Sequence, residues 1–264
     1  SCCFDTHSES YVETTKIGKN QLKSVEGKTN QTGIRHNENT GHIEWNGLKL
    51  KCIIDVLDKV VVHGLSNRVK YCRIVKRIFN GKTRFFIQLI LEGKPYQKFS
   101  APVNIVGLDI GPSTIACVSK NKASLEHFCD ELSNKQKKIR RLQRKLDRQR
   151  RANNPQNYNP DGTIKPGKKS WYESKRYIKT KIKLAELQRK LAAHRKSLHG
   201  KNTNRILKLG KHIKTEKLSY RAFQRQFGKS VKDRAPGMFV EILRRKAENA
   251  GGSVIEFSTK TTKL

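Results

Sequence analysis

Long apolar runs are missing from this sequence. None of its 264 residues belongs to a stretch approaching the roughly 18 to 20 apolar residues of a spanning helix, and no secretory leader pattern opens the chain. The expectation is a soluble, cytoplasmic protein without a membrane partner. Paired cysteines are missing too. Cys2, Cys3, Cys52, Cys72, Cys117 and Cys129 form no Cys-x-x-Cys pair, and several fall in strand-like runs where a thiol serves as a small apolar side chain. Neither a disulfide framework nor a zinc site within the chain is supported. Above all, acids are scarce. Lys and Arg number 57 against 22 Asp and Glu, a net charge of +35. Solubility needs far less, so the natural counter-charge is polyphosphate, with nucleic acid rather than a small molecule as the partner. With 35% hydrophobic residues the chain can still bury one large core or two small ones.

From Ser1 to about Asn39 no hydrophobic period is sustained. Two hairpins follow, each turning on Asn-Gly, the dipeptide that best fits a type I′ turn: His42–Trp45 and Leu48–Ile53 around Asn46-Gly47, then Val69–Phe79 and Thr83–Leu91 around Asn80-Gly81. Short strands at this spacing predict a small antiparallel barrel. Its basic residues, among them Arg68, Lys70, Arg73, Lys76, Arg77 and Arg84, suit a nucleic-acid platform. Each alone is equally the solvated face of an alternating strand.

In Asn104-Ile-Val-Gly-Leu-Asp109-Ile-Gly-Pro-Ser-Thr114 an apolar strand ends on one carboxylate before a Gly-Pro break and a second strand. Asp109 suits two roles: an acid that begins a β-turn, or a ligand that a metal or substrate meets at a strand end. A third strand is predicted over Ser124–Cys129. A helix follows with a capping box from Ser133 to Gln136, then an exposed loop over residues 153–170, then a second helix from Trp171 to Leu198 with Leu184, Leu187 and Leu191 at heptad-like spacing. The two helices are expected to pair antiparallel. Residues 131–200 carry 22 Lys and Arg against 5 Asp and Glu. Such one-sided charge repels itself without phosphates, which makes Arg140, Arg141, Arg144, Lys145, Arg148, Lys175, Arg176 and Lys179 candidate nucleic-acid contacts. Gly210 is read as a helix C′ residue, and His212–Leu218 as a strand with Glu216 near its end. By itself a Glu among lysines is a surface ion pair. A helix opening at Ala235-Pro236-Gly237 and a strand over Ser253–Ser258 complete the pattern.

Val106-Gly-Leu-Asp-Ile-Gly111 resembles the first motif of RuvC-type nucleases, in particular the TnpB proteins of bacterial insertion sequences, relatives of the type V CRISPR effectors. The hairpins and Glu92-Gly93-Lys94-Pro95 resemble the family's wedge domain, Ile213–Leu218 its second motif, and Leu243–Gly252 with the strand after it the family's next segment. Lys217 stands where an acid is common. The resemblance implies an RNase H-like (RuvC) α/β domain with a long basic helical hairpin, preceded by the wedge-like β-barrel: residues 1–102 for the first, 103–264 for the second, with the insertion at about 131–200. It implies an RNA-guided, transposon-associated DNA endonuclease, with guide RNA and target DNA as partners. Asp109 and Glu216 would be its catalytic and metal-binding acids, on two Mg²⁺ ions. The family's third acid and its zinc ribbon lie beyond the point this chain reaches. Because the sequence opens on Ser1 and stops directly after a strand-like run, a piece of a longer protein is expected. The alternative is an inactive RNA- or DNA-binding remnant of such a protein.

Overall fold

The computed structural model describes residues 23–258, apart from the side chains of Ser133 and Asn134. The chain divides into two compact units, Ser1–Lys98 and Phe99–Leu264. Most of the opening polar stretch and the last six residues lie outside the described residues, as does the side chain on which the expected capping box depends.

In the first unit, β1 (Ser24–Glu26), β2 (Arg35–Asn37), β3 (His42–Trp45), β4 (Leu48–Lys51), α1 (Lys59–Leu65), β5 (Val69–Phe79) and β6 (Lys82–Leu91) form two three-stranded antiparallel sheets, ordered β1-β5-β6 and β2-β3-β4. Both predicted hairpins are present. Positive φ at Asn46, Gly47, Asn80 and Gly81 is what a type I′ turn demands at its two central positions. Ile34, Ile43, Val69, Cys72 and Ile74 form the core. The expected barrel is not: among the described residues neither sheet closes. Strands of three or four residues cannot supply the tilt and stagger of closure, and β4 is exposed at every position. Asn30 joins the two sheets; its amide donates to the His36 carbonyl, its Oδ1 accepts from the His36 N–H, and the Cys72 thiol donates to the same oxygen.

The second unit is built on β7 (Ile105–Ile110), β8 (Thr114–Ser119) and β9 (Lys122–His127), then α2 (Ser133–Asn153), α3 (Lys175–Leu207), β10 (His212–Glu216), α4 (Tyr220–Arg234), α5 (Pro236–Asn249) and β11 (Ser253–Phe257). The five strands form one mixed sheet ordered β11-β10-β7-β8-β9. The first three make an antiparallel meander; β10 runs parallel to β7, and β11 parallel to β10. One sheet face is buried. Val106, Leu108, Ile110, Ile115 and Ile213 pack there against Leu191 and Ile206 of α3 and Phe239, Leu243 and Ala247 of α5. At about 0.8 kcal/mol per buried CH₂, these large aliphatic and aromatic side chains hold the unit together.

The helices α2 and α3 pack as an antiparallel pair. Lys135 meets His194 near one end at 2.8 Å, and the Asn153 amide donates to Ser174 near the other at 2.9 Å. Two expectations change, and one element is new. Helix α3 runs through Gly200 to Leu207, where Lys208 caps it, so Gly210 is not a left-handed C′ residue; instead its missing Cβ lets the chain press on the Asn104 carbonyl. Residues 154–174 are no plain loop, because Asn154 is 1% exposed and Asn157 is also buried. Helix α4 fills a segment to which no element had been assigned from the sequence.

At the centre of this unit His199 is fully buried between Phe128 and Phe239, with ring centroids 5.6 and 5.5 Å away. Its Nε2–H donates to the Arg234 carbonyl at 2.8 Å, and Nδ1 is buried with no partner. Burial lowers its pKa to about 4, and the charge of Arg195 adds to the effect.

Candidate active site and nucleic-acid interface

The alternation along β7 sends Val106, Leu108 and Ile110 inward and leaves Gly107 and Asp109 on the opposite face. Along β10, Ile213 and Thr215 point inward, while Lys214 and Glu216 do not. Register then decides what meets. His212 pairs with Ile105, Ile213 with Val106, Lys214 with Gly107 and Thr215 with Leu108. The pairing ends there, and Glu216 and Asp109 are the next residue on each strand. The two acids lie more than a hundred residues apart in sequence, yet stand on neighbouring parallel strands, on one face, at the carboxyl ends. Paired residues on adjacent strands stand roughly 4.8 Å apart at Cα. Carboxyl ends of strands are where open α/β sheets bind ligands.

Around the pair the sheet face is open and largely apolar, with Ile105, Val118, Leu125 and Ile255 all exposed. The turn after β7 is fixed by the Gly111 N–H, which donates to the Thr114 carbonyl at 3.0 Å. Helix α4 leans on that turn, because Ser230 donates its hydroxyl hydrogen to the Pro112 carbonyl. Arg234, the last residue of α4, bonds Ser230, the Phe128 carbonyl and the Asp130 carboxylate, and so ties the helix to the end of β9. This support was missed in the sequence. Ser219, whose side chain accepts from the Ala222 N–H, and the paired rings Phe223 and Phe227 were its available signals. Gly228 and a non-helical Phe227 blurred them.

Among the described residues neither Asp109 nor Glu216 makes a side-chain hydrogen bond or ion pair, and no group of three or more His, Cys, Asp or Glu gathers where a metal could be held. Glu256, nearby on β11, faces the other way and takes Arg244 at 3.1 Å. Two free carboxylates are hard oxygen donors. They fit a cation such as Mg²⁺, which takes one or two carboxylates and completes its shell with water and phosphate oxygens.

The basic residues divide by circumstance. Arg141, Arg144, Lys145 and Arg148 line one shallow groove on α2 with Leu142 and Asp147, and Arg140 is exposed beside them. The antiparallel pairing carries Lys175, Arg176 and Lys179, all exposed, to the α2 C-terminal end of the same arm. In the first unit Lys70 and Lys76 are exposed. Arg73 is taken by Glu26 at 2.7 Å, and Arg68 lies 3.8 Å from Glu92. Arg77 and Arg84 lie over the rings of Phe86 and Phe79 on the β5–β6 hairpin, an arrangement that leaves their guanidinium edges for phosphate.

No family model matches the sequence, and no curated protein matches it. Solved structures match by shape. One is the Cas12f1–sgRNA–target DNA complex, with 14% identity and a TM-score of 0.50, covering 76% of this chain and 38% of that one. Another, the CRISPR-Cas12f ternary complex, has 15% identity and a TM-score of 0.35, covering 86% and 41%. This chain thus spans about two fifths of the length of those proteins. The first comparison shows a shared fold; the second scores too low to carry an argument.

Proposed function

We propose that this chain is the wedge-like and RuvC-like part of an RNA-guided, transposon-associated DNA endonuclease of the TnpB type. The observation that carries the reading is the parallel register of His212–Thr215 on Ile105–Leu108, which, carried on by one residue, would bring Glu216 opposite Asp109 on an open sheet face. A meander followed by two parallel strands is the order expected of an RNase H-like sheet, and the shared fold with a Cas12f1 chain agrees with it. Asp109 and Glu216 would hold Mg²⁺, which supplies charge stabilisation at the attacking and leaving oxygens of a phosphodiester. The chain's own residues do the rest: the Gly111–Pro112 turn and α4 fix the end of β7, while the basic arm of α2 and α3 holds the guide RNA and its DNA partner through their backbones, leaving sequence to base pairing.

The test is Mg²⁺-dependent cleavage of a labelled DNA by the full chain, co-expressed with its flanking genomic RNA, beside a version extended past Leu264. Cutting that disappears with Asp109→Ala or Glu216→Ala, while RNA binding stays within a few-fold, supports the reading. Cutting retained by both variants refutes the site. A binding remnant without catalysis is the second reading, favoured by the absence of a third acid beside the pair among the described residues. It predicts steeply salt-dependent RNA binding and no cleavage from either version.

A further inference from the structure

At the far end of the basic arm, between α2 and α3, the chain builds a small folded cap. Asn154 is its centre: Nδ2 donates to the Arg150 and Tyr172 carbonyls, and Oδ1 accepts from the Tyr172 N–H at 2.7 Å. The Asn157 amide donates to the Ser170 carbonyl, and Tyr158 pairs with Ile164 as an isolated bridge. So many internal bonds hold the chain in one conformation that a solvated spacer would not need.

The cap presents flat groups. The Arg150 guanidinium carbon lies 3.8 Å from the centre of the Trp171 ring, a cation–π contact, and Tyr158 meets Trp171 edge-on at 5.9 Å. Next to them Tyr172 is 67% exposed. Arg150, Asn154, Trp171, Tyr172, Glu173 and Tyr177 line a cleft of about 290 Å³. That falls just below the roughly 300 to 1,000 Å³ of pockets for drug-sized ligands, so it has room for a single flat heterocycle. Lys175 and Arg176, both exposed, share the first turn of α3 with Tyr177. A planar cleft with cations on the adjoining turn matches the way unpaired bases are held: the base stacks on an aromatic or guanidinium plane while its phosphates meet Lys and Arg.

We propose that this cleft receives one unpaired nucleobase of a single-stranded segment, stacked against Tyr172 and the Arg150–Trp171 plane. The proposal rests on the reading that this chain handles nucleic acid, and it adds a place where the arm tells an unpaired base from a paired one. A basic arm without the cleft would follow phosphate density alone.

The full chain is titrated with an RNA hairpin bearing unpaired loop bases, its DNA counterpart, and a fully paired RNA duplex of equal charge. The expected result is a preference for the hairpins that falls about tenfold with Tyr172→Ala, and likewise with Arg150→Lys, which keeps the charge but loses the plane. Affinity for the duplex and the salt slope are expected to stay unchanged. Tyr172 projects into water, so its variant retains the fold, and a thermal melt checks this. Trp45→Phe leaves Trp171 as the sole tryptophan; its fluorescence should be quenched by the hairpins and not by the duplex. The RNA and DNA arms reveal whether the cleft also reads the sugar; a preference for either hairpin supports it. Equal affinity for hairpins and duplex, or a preference indifferent to both substitutions, overturns the cleft and leaves the nucleic-acid reading standing. Failure to hold any of the three nucleic acids overturns both, whereas loss of cleavage alone affects only the nuclease site.

Discussion

Acidification from about pH 7 to about pH 4 is expected to remove about 3 kcal/mol of stability from the Phe99–Leu264 unit through one side chain, His199. In the folded chain its pKa lies at about 4, against an ordinary 6.5. The cause is geometric. Nε2–H is committed to the Arg234 carbonyl, so a second proton must go to Nδ1, which is buried among Phe128 and Phe239 with no acceptor, and the Arg195 charge opposes it as well. The unfolded chain takes up that proton first. Stability is therefore complete above about pH 6.5, declines as the pH falls toward 4, and loses nothing more from this group below that. At about 1.4 kcal/mol per pH unit over that interval the loss comes to about 3 kcal/mol. The assay is urea unfolding followed by circular dichroism across this range, for the native chain and for His199→Phe. Phenylalanine keeps the stacked ring but leaves the Arg234 carbonyl without its donor, so the variant should be weaker by about 1 to 3 kcal/mol at neutral pH and much flatter below it. If both chains lose stability with the same slope, His199 is not the group responsible, and the account of its burial fails.

Further outcomes follow from the same packing and charge. Replacing Arg141, Arg144 and Arg148 together by Gln should reduce the slope of log affinity for RNA against log salt by about 2 to 3, since each phosphate contact contributes roughly 0.7 to 0.9; a filter-binding series at several salt concentrations measures it, and an unchanged slope would remove the α2 groove from the interface. Gly210→Ala places a methyl group on the Asn104 carbonyl and should cost roughly 1 to 3 kcal/mol in a thermal melt, whereas Gly228→Ala meets nothing within 4 Å and should gain roughly 0.5 to 1 kcal/mol in α4. Burial pushes the Cys72 and Cys129 thiols up to about 11, so both should resist iodoacetamide in mildly alkaline buffer until the chain is unfolded, as mass spectrometry of peptides would report.

What the sequence disclosed depended on how local the cause was. Asn-Gly turns set a hairpin through two residues, and both hairpins could be read directly. The strand ending on Asp109 was visible because alternation and a Gly-Pro break are properties of neighbours. Glu216 was different. By residue chemistry alone it reads as a surface ion pair, only the resemblance of Ile213–Leu218 to a family motif singles it out, and its nearness to Asp109 follows from a parallel pairing that only the folded sheet displays. The same holds for Gly210, whose reason is a carbonyl far back in the chain, and for the cap at residues 153–174. There Pro, Gly and Asn are rightly signals of irregular backbone, but the buried hydrogen bonds of Asn154 and Asn157 that give this backbone one shape are tertiary. The barrel expectation failed for a related reason: alternation establishes strands and says nothing of whether their edges meet.

The register that pairs the two acids also yields the sharpest test of the site. Glu216 pairs with Phe257 of β11, and Asp109 is the next residue of β7 past the Thr215–Leu108 pair, so alternation puts all three on the open face of three adjacent parallel strands. Phe257 is half-buried at the sheet edge, outside the core packed against the helices. Phe257→Asp would place a third carboxylate about one strand spacing from Glu216, where a cation that the proposed pair would hold could reach it. The substituted chain should bind Mn²⁺, read by electron paramagnetic resonance, at least about tenfold more tightly than the native chain, since an added charged ligand on a divalent ion easily exceeds 1.4 kcal/mol. Adding Glu216→Ala should abolish the gain, because Asp109 and position 257 are then two strand spacings apart with nothing between them. A gain that survives Glu216→Ala, or no gain in a chain whose circular dichroism is unchanged, would mean that the row does not converge on one point and that the pair at the end of β7 and β10 is not a metal site.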